Sequence, residues 1–332
     1  MRHVFFIHSH VTWLVSLAVI DHHQLTAGDV LLVCARGYEP PDHAFATKAF
    51  PERRWVITWR LLQWWRQHRE LTRFVDEVSG GRDFAWYLPH RAFPFFNAFV
   101  RHPRCRGYHL IEEGMASYHT PESIARVLRG VVAARPGWRG WVARGFVTVR
   151  PPVFADERCL AFYGCTDEAF PGYPRKVRVQ VRALAPAEAA DIDTVLVFDA
   201  TLEAQLADEA PYHACLQELL AILARQGRRT VHYKLAPSQY VDRRYSPRVQ
   251  QALRENTHGI RFVELPASCS LEMLALAGRA DFFTFLSSVG IYAANAGCGV
   301  YSMAQRLAQL DPRYRPFPET IPEGVRRKFQ FL

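Results

Sequence analysis

Two adjacent carboxylates, Glu112 and Glu113, follow the apolar run 107–111 and precede Gly114. An apolar strand that runs straight into paired acids sets them at one end of a sheet. Repulsion between two such carboxylates raises the pKa of one partner, which suits it to general-base work. The same residues also fit a charged loop facing solvent, since perturbed carboxylates occur at structural positions too. A second polar pair, Ser287 and Ser288, lies in Phe283-Thr-Phe-Leu-Ser-Ser-Val-Gly-Ile-Tyr-Ala-Ala294 at the expected start of a helix. Hydroxyls and unpaired N–H groups there make either an anion site or an ordinary N-cap. His8-Ser-His10 and His22-His23 lack an acidic or cysteine companion at zinc spacing, so no metal is expected on them.

These residues need a scaffold, and the chain spells one out. Residues 4–7 read as a buried strand, after which Trp13, Leu14, Leu17, Ala18 and Ile20 recur at helical spacing. Further strands are expected over 30–34, 55–58, 84–88 and 107–111, with a helix over 61–78. Strands alternating with helices imply a mostly parallel α/β sheet. From about 150 to 186 prolines accumulate beside Arg175-Lys176-Val177-Arg178 and the periodicity fades, which reads as the end of a domain plus a linker. A second α/β pattern follows. Its strands are expected over 195–198, 230–234, 261–264 and 282–285, and its helices near 212–225, 247–255, 271–277 and 289–296.

The expected division is a first domain over 1–170, a linker over 171–190, a second domain over 191–315 and a tail over 316–332. Two open α/β domains in succession imply a cleft at the carboxyl ends of their strands. His8 and His10 end the first strand, and His90 and Arg91 end the fourth, so all are substrate-site candidates there. A loop that only packs against Phe93, Phe95 and Phe96 reads the same way.

The chain has 332 residues, enough for two domains, and 49% hydrophobic composition marks it as globular. Lys and Arg total 41 against 32 Asp and Glu, a formal charge of +9 that favours anionic partners without choosing among them. Seven cysteines, an odd number without a CxxC pair, argue against a disulfide framework or a zinc ribbon and fit a reducing cytoplasm. The N-terminal apolar segment is broken by His8-Ser-His10 and lacks a small-residue cleavage site, so no signal peptide is expected. Gly297-Cys-Gly299 continues to Ser302 where a dinucleotide fingerprint needs its third glycine, and no GxxxxGK[ST] loop is present, so NAD and ATP are disfavoured. Trp64-Trp-Arg66 with Arg60 and Arg69, and Arg135-Pro-Gly-Trp-Arg-Gly-Trp141 with Arg144, suit either peripheral contact with an anionic inner-membrane surface or a charged rim over a core. No nucleic-acid partner is expected.

Cys105-Arg-Gly-Tyr-His-Leu-Ile-Glu-Glu-Gly-Met-Ala-Ser-Tyr118 resembles the acidic-acidic-glycine motif of bacterial sialyltransferases, in particular the α-2,8-polysialyltransferase-like group. The resemblance implies a GT-B fold, with an acceptor-side first domain and a second domain that binds the nucleotide sugar. It also implies inverting transfer of a nonulosonic acid, sialic acid or Kdo, from a CMP-activated donor to a surface glycan, lipid-linked or not, such as capsule or lipopolysaccharide. By that resemblance Glu112 is the base, while Glu113 and Gly114 shape the turn. Ser287 and Ser288 correspond to the paired-serine motif that holds the CMP phosphate. Val231-His-Tyr-Lys-Leu-Ala-Pro-Ser238 keeps Lys234 and Pro237 of the donor-binding motif, but Ala236 stands where the histidine that contacts the donor phosphate belongs. Alanine can donate neither a proton nor a hydrogen bond. Lys234, His232 or a residue from elsewhere then stabilises the leaving phosphate, or the donor and chemistry differ. The family implies no cofactor or metal, because a CMP donor carries one phosphate. The resemblance runs from about Phe5 to Ser302 on these three segments. Two other readings are a transferase for another nucleotide sugar and a non-catalytic glycan or nucleic-acid binding protein.

Overall fold

A computed structural model describes residues 1–41, 43–51, 61–90, 95–123, 156–181, 191–236, 239–240, 245–266, 268–319 and 321–332. The chain divides into two compact units, Met1–Arg182 and Ala183–Leu332. Each is an open α/β unit built on a parallel sheet.

The first unit carries seven strands, β1 (Arg2–Ile7), β2 (Val30–Cys34), β3 (Ala46–Ala49), β4 (Phe84–Leu88), β5 (Cys105–Ile111), β6 (Cys159–Gly164) and β7 (Lys176–Arg178), in the order β3-β2-β1-β4-β5-β6-β7. Its helices include α1 (His10–His22), α2 (Leu61–Ser79) and α3 (Phe95–Val100). Strands covered on both faces read as continuous apolar runs. That is the pattern of β4, whose five residues FAWYL are all buried. Phe5 stacks on Tyr87 at 4.1 Å and Tyr87 on His109 at 4.5 Å, tying the three central strands into one core. A capping box of Ser9 and Thr12 starts α1 directly after β1.

The expected strand over 55–58 lies outside the described residues, as do Trp141 and its basic neighbours. β3, β6 and β7 lie where no strand was expected. β3 and β7 are short edge strands with no buried residue, each carrying a lysine or arginine, and so show no apolar pattern. β7 falls inside the segment expected to link the domains, and it pairs with β6 in parallel.

The second unit orders β8 (Thr194–Val197), β9 (Thr230–Lys234), β10 (Arg261–Glu264), β11 (Asp281–Thr284), β12 (Val300–Ser302) and β13 (Gln330–Phe331) as β10-β9-β8-β11-β12-β13. Its helices are α4 (Glu209–Arg225), α5 (Ser246–Arg254), α6 (Leu271–Leu276), α7 (Val289–Asn295), α8 (Ala304–Leu310), α9 (Pro316–Glu319) and α10 (Glu323–Arg326). Residues 316–332, read from sequence as a tail, bury Val325 and Phe329 and supply the edge strand β13.

In both sheets the chain order reverses beside the first strand, between β1 and β4 and between β8 and β11. Loops diverge at such a point and leave a crevice at the carboxyl ends of the strands. No described helix is long and apolar enough to cross a membrane.

Candidate active site

Five strands of the first unit deliver polar side chains to their carboxyl ends. β1 leads to His8 and His10, β2 to Arg36 and Tyr38, β4 to His90, β5 to Glu112 and Glu113, and β6 to Cys165 and Thr166. Sequence reasoning singled out the acids and the histidines. It passed over Arg36, Tyr38, Tyr118, Cys165 and Thr166, whose shared signal is position, within a few residues of a strand's end or of the acidic pair.

The two acids have opposite surroundings. Glu112 is fully buried. One carboxylate oxygen accepts the Tyr118 hydroxyl, and the other accepts the Cys165 N–H at 2.8 Å and its thiol at 3.1 Å. Thr166 donates in turn to the Tyr118 oxygen at 3.2 Å. Gly164 makes room for this arrangement, since a Cβ there would stand 2.6 Å from the Ala169 Cβ and 3.3 Å from Glu112 Oε2. The role that the resemblance gives Glu112, proton acceptor from substrate, needs an open oxygen. Here the carboxylate is turned inward.

Glu113 faces the other way, with its side chain 14% exposed. Its Oε2 lies 3.4 Å from His8 Nε2 and 3.9 Å from His90 Nε2. Burial pushes its carboxyl from the ordinary 4.5 up to about 7, against an opposing pull from Arg36. Burial pushes His8 down to about 3 and His90 down to about 4, and Arg36 adds to both shifts. Near neutral pH the acid is half-ionised between two uncharged imidazoles. Such a carboxyl can take up and release a proton at working pH.

Gly114 holds φ at 144°, a value that L side chains rarely adopt, and opens the 3-10 turn Met115–Tyr118. The Glu113 N–H donates to Ser117 Oγ at 3.1 Å, which fixes the backbone behind the carboxylate. His10 starts α1, and its Nδ1 meets the Tyr38 hydroxyl at 3.0 Å rather than Glu113. Among the described residues no group of three or more His, Cys, Asp or Glu is arranged to hold a metal ion.

In the second unit Asp199 follows β8 and joins two loops. Its carboxylate accepts the Thr201 N–H at 3.2 Å and the Leu286 N–H at 3.0 Å. The loop between β11 and α7 is held from two further sides: Tyr212 stacks on Phe285 at 4.3 Å, and the Ser302 hydroxyl donates to the Phe285 carbonyl. Ser287 and Ser288 sit half-buried on that loop. Ser287 Oγ accepts from the Val289 N–H at 3.4 Å, whereas the Ser288 side chain makes no cap hydrogen bond. Lys234, at the end of β9, is buried and its ammonium donates to the Cys269 carbonyl, while desolvation lowers its pKa. His232 lies within β9, two residues before the strand's end. The Ala236 N–H donates to Gln239 Oε1 at 2.8 Å. Pro237 lies outside the described residues.

No protein-family model matches the chain, and no curated protein matches it. Solved structures do. A Staphylococcus aureus MnaA–UDP co-structure superposes with a TM-score of 0.50 at 10% identity, covering 91% of this chain and 79% of that one. A Photobacterium damsela sialyltransferase gives 0.49 at 10% identity over 100% of this chain and 81% of that one. Methanocaldococcus jannaschii UDP-GlcNAc 2-epimerase with UDP-GlcNAc and UDP gives 0.48 at 11% identity, over 91% and 84%. Two parallel-sheet α/β units in succession, together with the likeness to the MnaA structure, give the chain the GT-B fold.

Proposed function

We propose that the chain is a glycosyltransferase that moves a sugar from a nucleotide-activated donor to a glycan acceptor, with inversion at the anomeric carbon. The observation that carries this reading is the placement of Glu113, whose Oε2 lies 3.4 Å from His8 Nε2 and 3.9 Å from His90 Nε2, the two histidines that follow the strands flanking the switch point, with burial pushing its carboxyl up to about 7. The acceptor hydroxyl attacks the anomeric carbon, its proton passes to Glu113, and the bond from that carbon to the donor phosphate oxygen breaks. Glu113 thus takes the part that the resemblance gives Glu112. Glu112 positions it, through the Tyr118 and Cys165 contacts that fix the end of β5. On the donor side Asp199 orders the loop of Ser287 and Ser288, which receive the leaving phosphate. Lys234 braces the neighbouring loop through the Cys269 carbonyl.

The finer reading is a CMP-activated nonulosonic acid donor and a bacterial surface glycan acceptor, which rests on the motif order from Glu112 through Lys234 to Ser288. Ala236 favours a second reading, in which the same fold uses another nucleotide sugar. Release of free nucleotide from CMP-sialic acid, CMP-Kdo and UDP-hexoses, measured with mixed glycan acceptors for wild type and Glu113→Gln, tests both. Acceptor-dependent CMP release that disappears in the variant supports the finer reading. UDP release alone supports the second. Absence of turnover and of nucleotide binding overturns the transferase.

A further inference from the structure

One buried side chain in the second unit joins the loops after β8 and β9. Gln239 is 1% exposed. Its N–H donates to the Ala236 carbonyl and its Oε1 accepts the Ala236 N–H, both at 2.8 Å, so a single residue engages both backbone polar groups of Ala236. On the other side its Nε2 donates to Glu203 Oε2 at 3.4 Å. The Glu203 loop is wound tight, with the Ala204 N–H on the Ala200 carbonyl at 2.8 Å and the Leu206 N–H on the Thr201 carbonyl at 3.0 Å. Asp199 opens that loop and holds the Thr201 and Leu286 N–H groups. The residue type at 239 follows from its neighbours. Ala236 presents a donor and Glu203 an acceptor, and an amide offers an oxygen to the first and a nitrogen to the second. A carboxylate in its place would set like charges against each other. Burying a polar group is costly unless its hydrogen bonds are made, and here both ends of the amide are engaged.

We propose that Gln239 is a positioning residue for the nucleotide. With Glu203 it fastens the loop after β9 to the loop after β8, which Asp199 fastens in turn to the loop of Ser287 and Ser288. The three loops leave the carboxyl ends of adjacent strands, β9, β8 and β11, with the crevice between the last two. A nucleotide then meets a preset surface and need not order three loops as it binds. The inference rests on the transferase reading for its ligand and adds a residue to which that reading gives no part.

The test is a pair exchange in the full-length protein. Gln239→Glu keeps an acceptor for Ala236 but faces Glu203 with a second carboxylate. Gln239→Glu combined with Glu203→Gln reverses the direction of the same contact, and Glu203→Gln alone completes the cycle. CMP and UDP are titrated calorimetrically into all four proteins, and amide NMR spectra follow the Ala236 and Thr201 signals without ligand. The expected result is about tenfold weaker nucleotide binding in Gln239→Glu, restored to within about threefold of wild type by the exchange, with both amide signals displaced in the single variant and returned in the double. A side chain that only fills space gives no such rescue. Unchanged binding in Gln239→Glu, or a loss that the exchange leaves in place, overturns the inference and leaves the transferase standing. If Gln239→Glu fails to fold, the exchanged protein decides: wild-type affinity supports the inference, and an about tenfold loss or a second failure to fold overturns it. Binding of neither nucleotide by wild type counts against the transferase, and the amide signals then decide the coupling of the loops. A Thr201 signal that ignores Gln239→Glu overturns it, and one that moves and returns upholds it.

Discussion

Glu112 and Glu113 are neighbours in sequence, yet Tyr118 and Cys165 hold the first carboxylate inside the protein while the second faces His8 and His90. Alternation along an extended chain produces this split, since successive side chains leave opposite faces. Substitution separates the two roles. Glu113→Gln lowers kcat by a factor of about 10² to 10⁴ with little change in the melting temperature. Glu112→Gln sets an amide N–H₂ against donors that need an acceptor and costs about 1–3 kcal/mol of stability. Steady-state kinetics and thermal unfolding of both variants give the comparison, and a kcat loss confined to Glu112→Gln would return the base's role to that residue.

The pH–rate profile follows the ionisation of Glu113. As a base it works when deprotonated, so kcat/KM rises with pH through about 7 and levels above it. His8 and His90 stay uncharged above about pH 4 and add no inflection between pH 5 and 8. A bell centred near pH 6 contradicts this assignment.

Stability also falls with acid, but through different groups. His8 and His109 are pushed down to about 3 and His90 to about 4, so below pH 6.5 the unfolded chain binds protons that the folded chain refuses. Their contribution is present above pH 6.5 and is lost as pH falls toward 4. The raised carboxyl of Glu113 works the other way, its share fully present below pH 4.5 and lost as pH rises through about 7. Three histidines against one acid leave a net loss on acidification. Calorimetry at pH 7, 6 and 5 is expected to give a falling melting temperature, with a shallower fall for His109→Gln.

Gly164→Ala tests the space around Glu112. The added Cβ meets Ala169 and the Glu112 carboxylate, and overpacking of this kind costs about 1–3 kcal/mol. Activity falls as well, because the end of β5 shifts. Unchanged stability would mean that the β6 loop yields freely.

Asp199→Ala releases the Leu286 and Thr201 N–H groups, and the expected result is a donor KM that rises several-fold while kcat falls less. Asp199→Asn keeps one acceptor oxygen and is expected to lie between wild type and alanine. Equal loss of kcat and kcat/KM in Asp199→Ala would place its effect in the chemical step.

Apolar runs made much of the scaffold legible. The sequence boundaries of β2, β4, β9 and β10 coincide with the observed strands because each of these segments stands between clear turn signals. β3, β7 and β13 escaped because short edge strands need no apolar pattern. β6 was lost in a stretch rich in proline. In the site, the acidic pair was legible from its place after β5, but the opposite surroundings of its two members were not. That contrast depends on Cys165, 53 residues further on, and on which face each side chain leaves. Arg36 sits in a segment that reads as an ordinary turn, and its neighbours emerge only once β2 lies beside β1.

The hydrogen bond from the Leu286 amide to Asp199 spans 87 residues and bridges the ends of β8 and β11. An amide proton held this way exchanges with heavy water only when those two central strands part or the loop between β11 and α7 peels off. Deuterium uptake at that single position therefore serves as a clock for the opening of the second unit, readable without substrate or turnover.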